Sequence, residues 1–168
     1  VTGAHIRIEG LRLYGAGTGY PNVAISDNAY DIIIAGNVIG DDDEPNGNCG
    51  RSEGAYGGIY IDATGEFESG HRAWIHGNVI ECNRRIPGDG ITILTDKVIV
   101  GKDPNGSSSD AHRNIIRLNN GFGVNLTSTT HNTVCDNHLI ANVMGGLYIS
   151  NFHNNNIMYN EIVDSGNN

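Results

Sequence analysis

Apolar and polar positions alternate along this chain in short runs, and the runs recur. Gly123-Val124-Asn125-Leu126-Thr127 is followed by Asn132-Thr133-Val134-Cys135-Asp136-Asn137-His138-Leu139. After 23 residues Gly146-Leu147-Tyr148-Ile149-Ser150 is followed by Asn155-Asn156-Ile157-Met158-Tyr159-Asn160-Glu161-Ile162. A period of two marks strands with one buried face, and a fixed period of about two dozen residues marks a repeat architecture.

The first run, Gly-h-x-h with h apolar, recurs upstream as Asn22-Val23-Ala24-Ile25, Gly58-Ile59-Tyr60-Ile61 and Gly90-Ile91-Thr92-Ile93. Its first apolar positions are 23, 59, 91, 124 and 147, with steps of 36, 32, 33 and 23 residues. A second pattern, h-x-x-Asn-x-h, occurs at Ile34…Asn37…Ile39 and Ile75…Asn78…Ile80. It recurs at Ile116…Asn119, with Gly121 in the last apolar place. Unequal steps around an unchanged core pattern mean inserted loops, expected at 41–56, 62–72, 81–89 and 101–113. No segment sustains a helical period with caps, so little helix is expected.

Strands this short cannot each bury an apolar face alone, but stacked coil on coil they can. The pattern therefore predicts one all-β domain over residues 1–168, a parallel β-helix (solenoid) of about six coils. Inward ladders are expected from Val23, Ile59, Ile91, Val124 and Leu147 on one wall. Ile34, Ile75, Ile116, Val134 and Ile157 are expected on the next. Asn37, Asn78, Asn119, Asn137 and Asn160 fall where the wall must bend, and are expected to form a structural ladder of stacked amides in left-handed backbone geometry. Asn114, Asn132 and Asn155 form a second such column.

Composition agrees with a chain that turns often, with 24 Gly and 22 Asn but 2 Lys. The net charge of −9 supplies no basic stripe for nucleic acid, and no apolar run is long enough for membrane insertion by a helix. The chain starts at Val1 and its last motif runs out into Gly166-Asn167-Asn168, as expected of a mature or excised piece of something exported or longer. Three cysteines have no metal-type spacing; Cys49 and Cys82, both in turn-rich segments, are a candidate disulfide.

These paired motifs resemble those of right-handed parallel β-helix proteins of the pectate-lyase-like superfold, over residues 5 to 163 apart from the loops. That superfold includes polysaccharide lyases, alginate epimerases, phage tailspikes and adhesins, so the resemblance implies the fold and leaves the function open. Such proteins commonly use an outward wall and its bordering loops. Here the outward residues of the first wall are Ala24, Tyr60, Thr92, Asn125 and Tyr148, flanked by Ser26, Asp62, Leu94, Thr127 and Ser150. Tyr60 and Tyr148 are candidates for stacking on sugar faces, and Asp62, Thr92, Asn125 and Thr127 for hydrogen bonds to hydroxyls.

Two functions remain in play. One is a non-catalytic extracellular or cell-surface module with a structural, adhesive or fibre-forming role. It would self-associate end to end into an oligomer or filament, and contact polysaccharide. The other is a polysaccharide-active enzyme: a uronate lyase, epimerase or glycoside hydrolase. The outward strand columns offer one carboxylate, Asp62, and no Lys, Arg or His. Hydrolysis needs two carboxylates, and lyase chemistry needs a base and a cation. An enzyme would have to borrow from loops, for instance Arg84, Arg85, Lys97, Lys102, His112 or Arg113. Ala73-Trp74-Ile75-His76-Gly77 is only faintly similar to the Trp-Ile-Asp-His segment of pectate lyases. The polygalacturonase and alginate-epimerase signatures are absent. No cofactor is required; Asp41, Asp42, Asp43 and Glu44 are the candidate Ca²⁺ ligands.

Overall fold

The computed structural model describes residues 2–16, 19–40, 57–64, 70–104, 106, 109–151 and 153–164. They form a parallel β-helix. The first coil is β1 (Ala4–Glu9), β2 (Arg12–Leu13) and β3 (Val23–Ser26), and the second is β4 (Tyr30–Ala35), β5 (Val38–Ile39) and β6 (Gly57–Asp62). The third is β7 (Ala73–His76), β8 (Val79–Glu81) and β9 (Asp89–Ile93), and the fourth is β10 (Val98–Gly101), β11 (Ile115–Arg117) and β12 (Phe122–Thr127). The fifth is β13 (Thr133–Cys135), β14 (His138–Ile140) and β15 (Gly145–Ser150); β16 (Asn156–Met158) and β17 (Glu161–Val163) begin a sixth. Among the described residues the only helix is a 3₁₀ turn, Asp110–His112.

Each coil lays one strand on each of three parallel sheets. Sheet A is β1-β4-β7-β10-β13-β16, sheet B is β2-β5-β8-β11-β14-β17 and sheet C is β3-β6-β9-β12-β15. Like stacks on like through the core. Val23, Ile59, Ile91, Val124 and Leu147 are in register on sheet C, as the alternation predicts. Ile8, Ile34, Ile75, Val100, Val134 and Ile157 are in register on sheet A, and Leu13, Ile39, Ile80, Ile116, Leu139 and Ile162 on sheet B.

Ile116 thus lies on a different wall from the one its motif predicts. It stacks between Ile80 and Leu139, and Val100 takes its expected place between Ile75 and Val134. An insertion between β10 and β11 causes the misreading. It separates Val100 from Asn114, whereas Ile34 and Asn37, or Ile75 and Asn78, stand three apart. The motif found at Ile116…Asn119 belongs to the next corner.

The asparagine columns are re-sorted in the same way. At the A-to-B corner the stack runs Asn37, Asn78, Asn114, Asn137, Asn160: each Nδ2 donates to the Oδ1 of the next coil at 2.9–3.0 Å. The same amides also donate to wall carbonyls, as Asn78 does to Ile34 and Asn137 to Val100. Asn119 is not in this stack. It sits at the B-to-C corner, accepting from Asn83 at 2.8 Å and donating to Asn142 at 2.9 Å. Asn132 and Asn155 hold the third corner, where Asn155 Oδ1 accepts from the Asn132 N–H at 2.8 Å. The left-handed residue is not the asparagine but the one before it: Gly36, Gly77, Asp136 and Tyr159 at the first corner, Cys82, Leu118 and Ala141 at the second. That residue turns the chain, which frees the asparagine to aim its amide inward.

The glycine before the first inward residue of β6, β9, β12 and β15 has a steric cause. A Cβ on Gly90 would lie 2.5 Å from Ile116 Cγ2 and 2.6 Å from the Gly123 carbonyl oxygen, because sheet B packs its inward side chain into that space. At the ends the stack loses its cover. Leu139 is fully buried, but its register partner Ile162 is 52% exposed. Ile6, Ile8 and Leu13 at the other end are only partly buried.

The insertions leave at three different corners. Residues 82–88 join sheet B to sheet C, as the chain does between Ile39 and Gly57. Residues 63–72 join sheet C to sheet A, and 102–114 join sheet A to sheet B.

Candidate functional site

The outward residues of sheet C line up as the alternation requires. Ala24, Tyr60, Thr92, Asn125 and Tyr148 occupy one row, and Ser26 pairs with Asp62 and Thr127 with Ser150 in the next. Asp62 is exposed; Tyr60, Thr92, Asn125 and Thr127 are half-buried, and Tyr148 is 42% exposed.

Asp89 organises this wall, and sequence reasoning passed over it as part of a loop. It is the first residue of β9 and is 1% exposed. One carboxylate oxygen, Oδ1, accepts from the Phe122 backbone N–H at 2.8 Å. The other, Oδ2, accepts from Asn125 Nδ2 at 2.8 Å and from the Thr92 hydroxyl at 3.0 Å. The chain of bonds continues outward, from the Thr127 hydroxyl to Asn125 Oδ1 at 2.8 Å and from Ser150 toward Thr127 at 3.5 Å. A buried carboxylate is tolerable only when its lone pairs are used in this way. Asp89 thus fixes the rotamers of Thr92 and Asn125. The sequence signal was present in Asp89-Gly90, a carboxylate directly before a recurring strand, but nothing there reveals that Asn125, one coil on, reaches back to it.

Aromatic surface flanks this network. Tyr148 stacks on Phe122 with ring centroids 4.8 Å apart and planes 23° apart, so one face of Tyr148 is already occupied. Phe122, missed in the sequence, is the support that holds Tyr148 in place. With Tyr60 on the other side of Thr92 and Asn125, the wall presents rings around hydrogen-bonding groups already oriented by Asp89.

The 102–114 insertion serves a different wall. Its 3₁₀ turn brings His112 against Trp74 and His76 on the outward face of sheet A, at ring-centroid distances of 5.0 and 4.9 Å. Trp74 donates its indole N–H to the Gly101 carbonyl at 2.8 Å. The His76 pKa is lowered from its ordinary value, first by burial and then by the neighbouring His112 and Arg7. Its ring accordingly favours the neutral form. Arg113 pairs with Asp136 at 2.7 Å.

Among the described residues no group of three or more His, Cys, Asp or Glu is placed to hold a metal ion. Asp41, Asp42, Asp43 and Glu44 lie outside the described residues, as does Cys49. Cys82 is disulfide-bonded, and Cys135 is a buried free thiol whose pKa is pushed up, chiefly by burial. Compared with protein-family models, curated proteins and solved structures, the chain matches none.

Proposed function

We propose that this protein is a non-catalytic, extracellular β-helix module of structural or adhesive role whose sheet C wall binds saccharide. The observation that carries the reading is the Asp89 network: hydroxyl and amide groups held at fixed angles beside exposed aromatic surface. Saccharide recognition asks for that combination, since a sugar offers an apolar C–H face and a rim of hydroxyls. The network also speaks against hydrolysis on this wall. Its one buried carboxylate accepts three hydrogen bonds, and a general acid must instead be free to give up a proton to the leaving group. Kinship with the pectate-lyase-like superfold is part of this proposal, resting on the repeated strand motifs and three-sheet coil.

The disulfide at Cys82 supports an oxidising, extracytoplasmic compartment. End-to-end self-association is part of the same proposal, as the route by which a stacked coil would build a fibre or oligomer. Titration against a panel of soluble polysaccharides, followed by amide chemical shifts, tests the binding wall. Shifts should cluster at Thr92, Asn125, Thr127 and Tyr148, and Tyr148→Ala should weaken binding at least about tenfold. Shifts elsewhere, or none with any glycan, would remove the reading. Release of unsaturated or reducing ends from any glycan would replace it with the enzymatic one.

A further inference from the structure

A cleft of about 430 Å³ lies at the A-to-B corner, away from sheet C. It is lined by Lys102 and Pro104 of the insertion and by Cys135, Asp136, Met158 and Tyr159 of the two last coils. That volume is in the range of small-ligand sites. We propose that it binds an anionic saccharide unit, a pyranose ring bearing a carboxylate or sulfate, with Tyr159 as the platform and Lys102 as the counter-charge.

Tyr159 carries the argument. It occupies the corner position before the stacked asparagine, which Gly36, Gly77 and Asp136 fill in other coils. Its φ is 56°, in the left-handed region that a Cβ disfavours and that an aromatic residue rarely adopts. The side chain recovers nothing by packing, since it is 81% exposed. Left-handed geometry is the ordinary corner device of this coil, adopted also by Leu118 and Ala141, so the role is read from the unburied ring at the lip of the cleft.

The charges in the cleft do not cancel. Asp136 gives one carboxylate oxygen to Arg113, and that ion pair neutralises it. Lys102 makes no ion pair among the described residues, and its charge reaches the Cys135 thiol, where it opposes the upward pull of burial and of Asp136. The cleft therefore holds one uncompensated cation on a protein of net charge −9. Met158 and Pro104 provide apolar walls for C–H groups, and Asp136, which also lines the cleft, would accept from a ring hydroxyl. Cys135 stays a protonated thiol and contributes only wall.

This site shares no residue with the sheet C wall, and its test is separable from that one. Glucuronate, glucose 6-sulfate and glucose are titrated into the protein in turn, followed by amide shifts. The two anionic sugars should shift Lys102, Asp136 and Tyr159, more weakly as salt rises, and glucose should not. If only one binds, the anion is identified as carboxylate or sulfate. Lys102→Gln should weaken binding about tenfold, and Tyr148→Ala should leave it unchanged. Tyr159→Gly should abolish binding while leaving Tm unchanged or raising it by up to about 4 °C, because glycine relieves the left-handed strain. A purely structural tyrosine would show the reverse, a lower Tm and no change in binding. Equal shifts with glucose, or none at these residues with any of the three, would overturn the proposal.

Discussion

Two polar networks of the same chemistry run through this molecule with opposite fates. The A-to-B stack of Asn37, Asn78, Asn114, Asn137 and Asn160 lies inside, is renewed in every coil from the second to the sixth, and bonds only to itself and to wall backbone. The Asp89 network lies on an outward face and occurs once. The first satisfies backbone groups that would otherwise be buried without partners at the bends, a need that every coil has. The second answers no need of the coil, because the other sheet C strands pair without it. What recurs in a solenoid is there for the fold, and what occurs once is where function is to be sought.

Removal of the central amide of the stack should give the largest effect. Asn137→Ala removes the acceptor of one of the two Asn114 amide bonds and the donor to the Val100 carbonyl and to Asn160 Oδ1, at a cost of about 3 kcal/mol, and Tm should fall by about 6–12 °C. Saccharide binding at sheet C should persist. A double-mutant cycle sharpens the point: Asn78→Ala with Asn114→Ala should show coupling, whereas Asn78→Ala with Asn119→Ala should add, since these two occupy different corners. Coupling in the second pair would restore the single ladder that the motif spacing suggests.

Asp89→Asn should behave oppositely. Its amide turns a donor toward Asn125 Nδ2, so stability should fall by only about 1 kcal/mol, while Thr92 and Asn125 lose their fixed orientation. Affinity for the glycan found on sheet C should drop several-fold. A loss of stability matching that of Asn137→Ala, with affinity intact, would erase the distinction between the two networks.

The smallest effect is expected from pH. His76 faces His112, Trp74, Arg7 and Glu9, and its folded pKa lies below the ordinary histidine value. The unfolded chain then binds the proton more readily, so the contribution to stability is present above about pH 6.5 and is lost as pH falls through and below it. Denaturant melts between pH 7.5 and 5 should show a decline that His76→Phe reduces. An unchanged decline in that variant would assign it to another group.

Much of this was legible in the chain. Period-2 alternation at Ile59, Ile91 and Val124 places those residues inward because a strand has only two faces, and the outward row of Tyr60, Thr92, Asn125 and Tyr148 follows from the same rule. Asn119 shows where reading stops. Its local pattern matches that of Asn37 and Asn78, yet it turns a different corner, because each kind of corner uses, in several coils, the same device of a left-handed residue followed by an inward asparagine. With an insertion between Val100 and Asn114, spacing no longer tells which corner is which.

The sequence by itself therefore determined the repeat, the stacked parallel coil it implies and which side chains point in or out, since these depend on local periodicity and on the need of each short strand for neighbours; that the coil has three walls came from the structure. Only the tertiary structure decided which coil positions meet: Asn114 between Asn78 and Asn137, Asp89 beneath Asn125, Phe122 beneath Tyr148, Tyr159 beside Lys102. Those contacts depend on how far each insertion shifts the register of stacking, and an insertion leaves no trace of that in the alternation on either side of it.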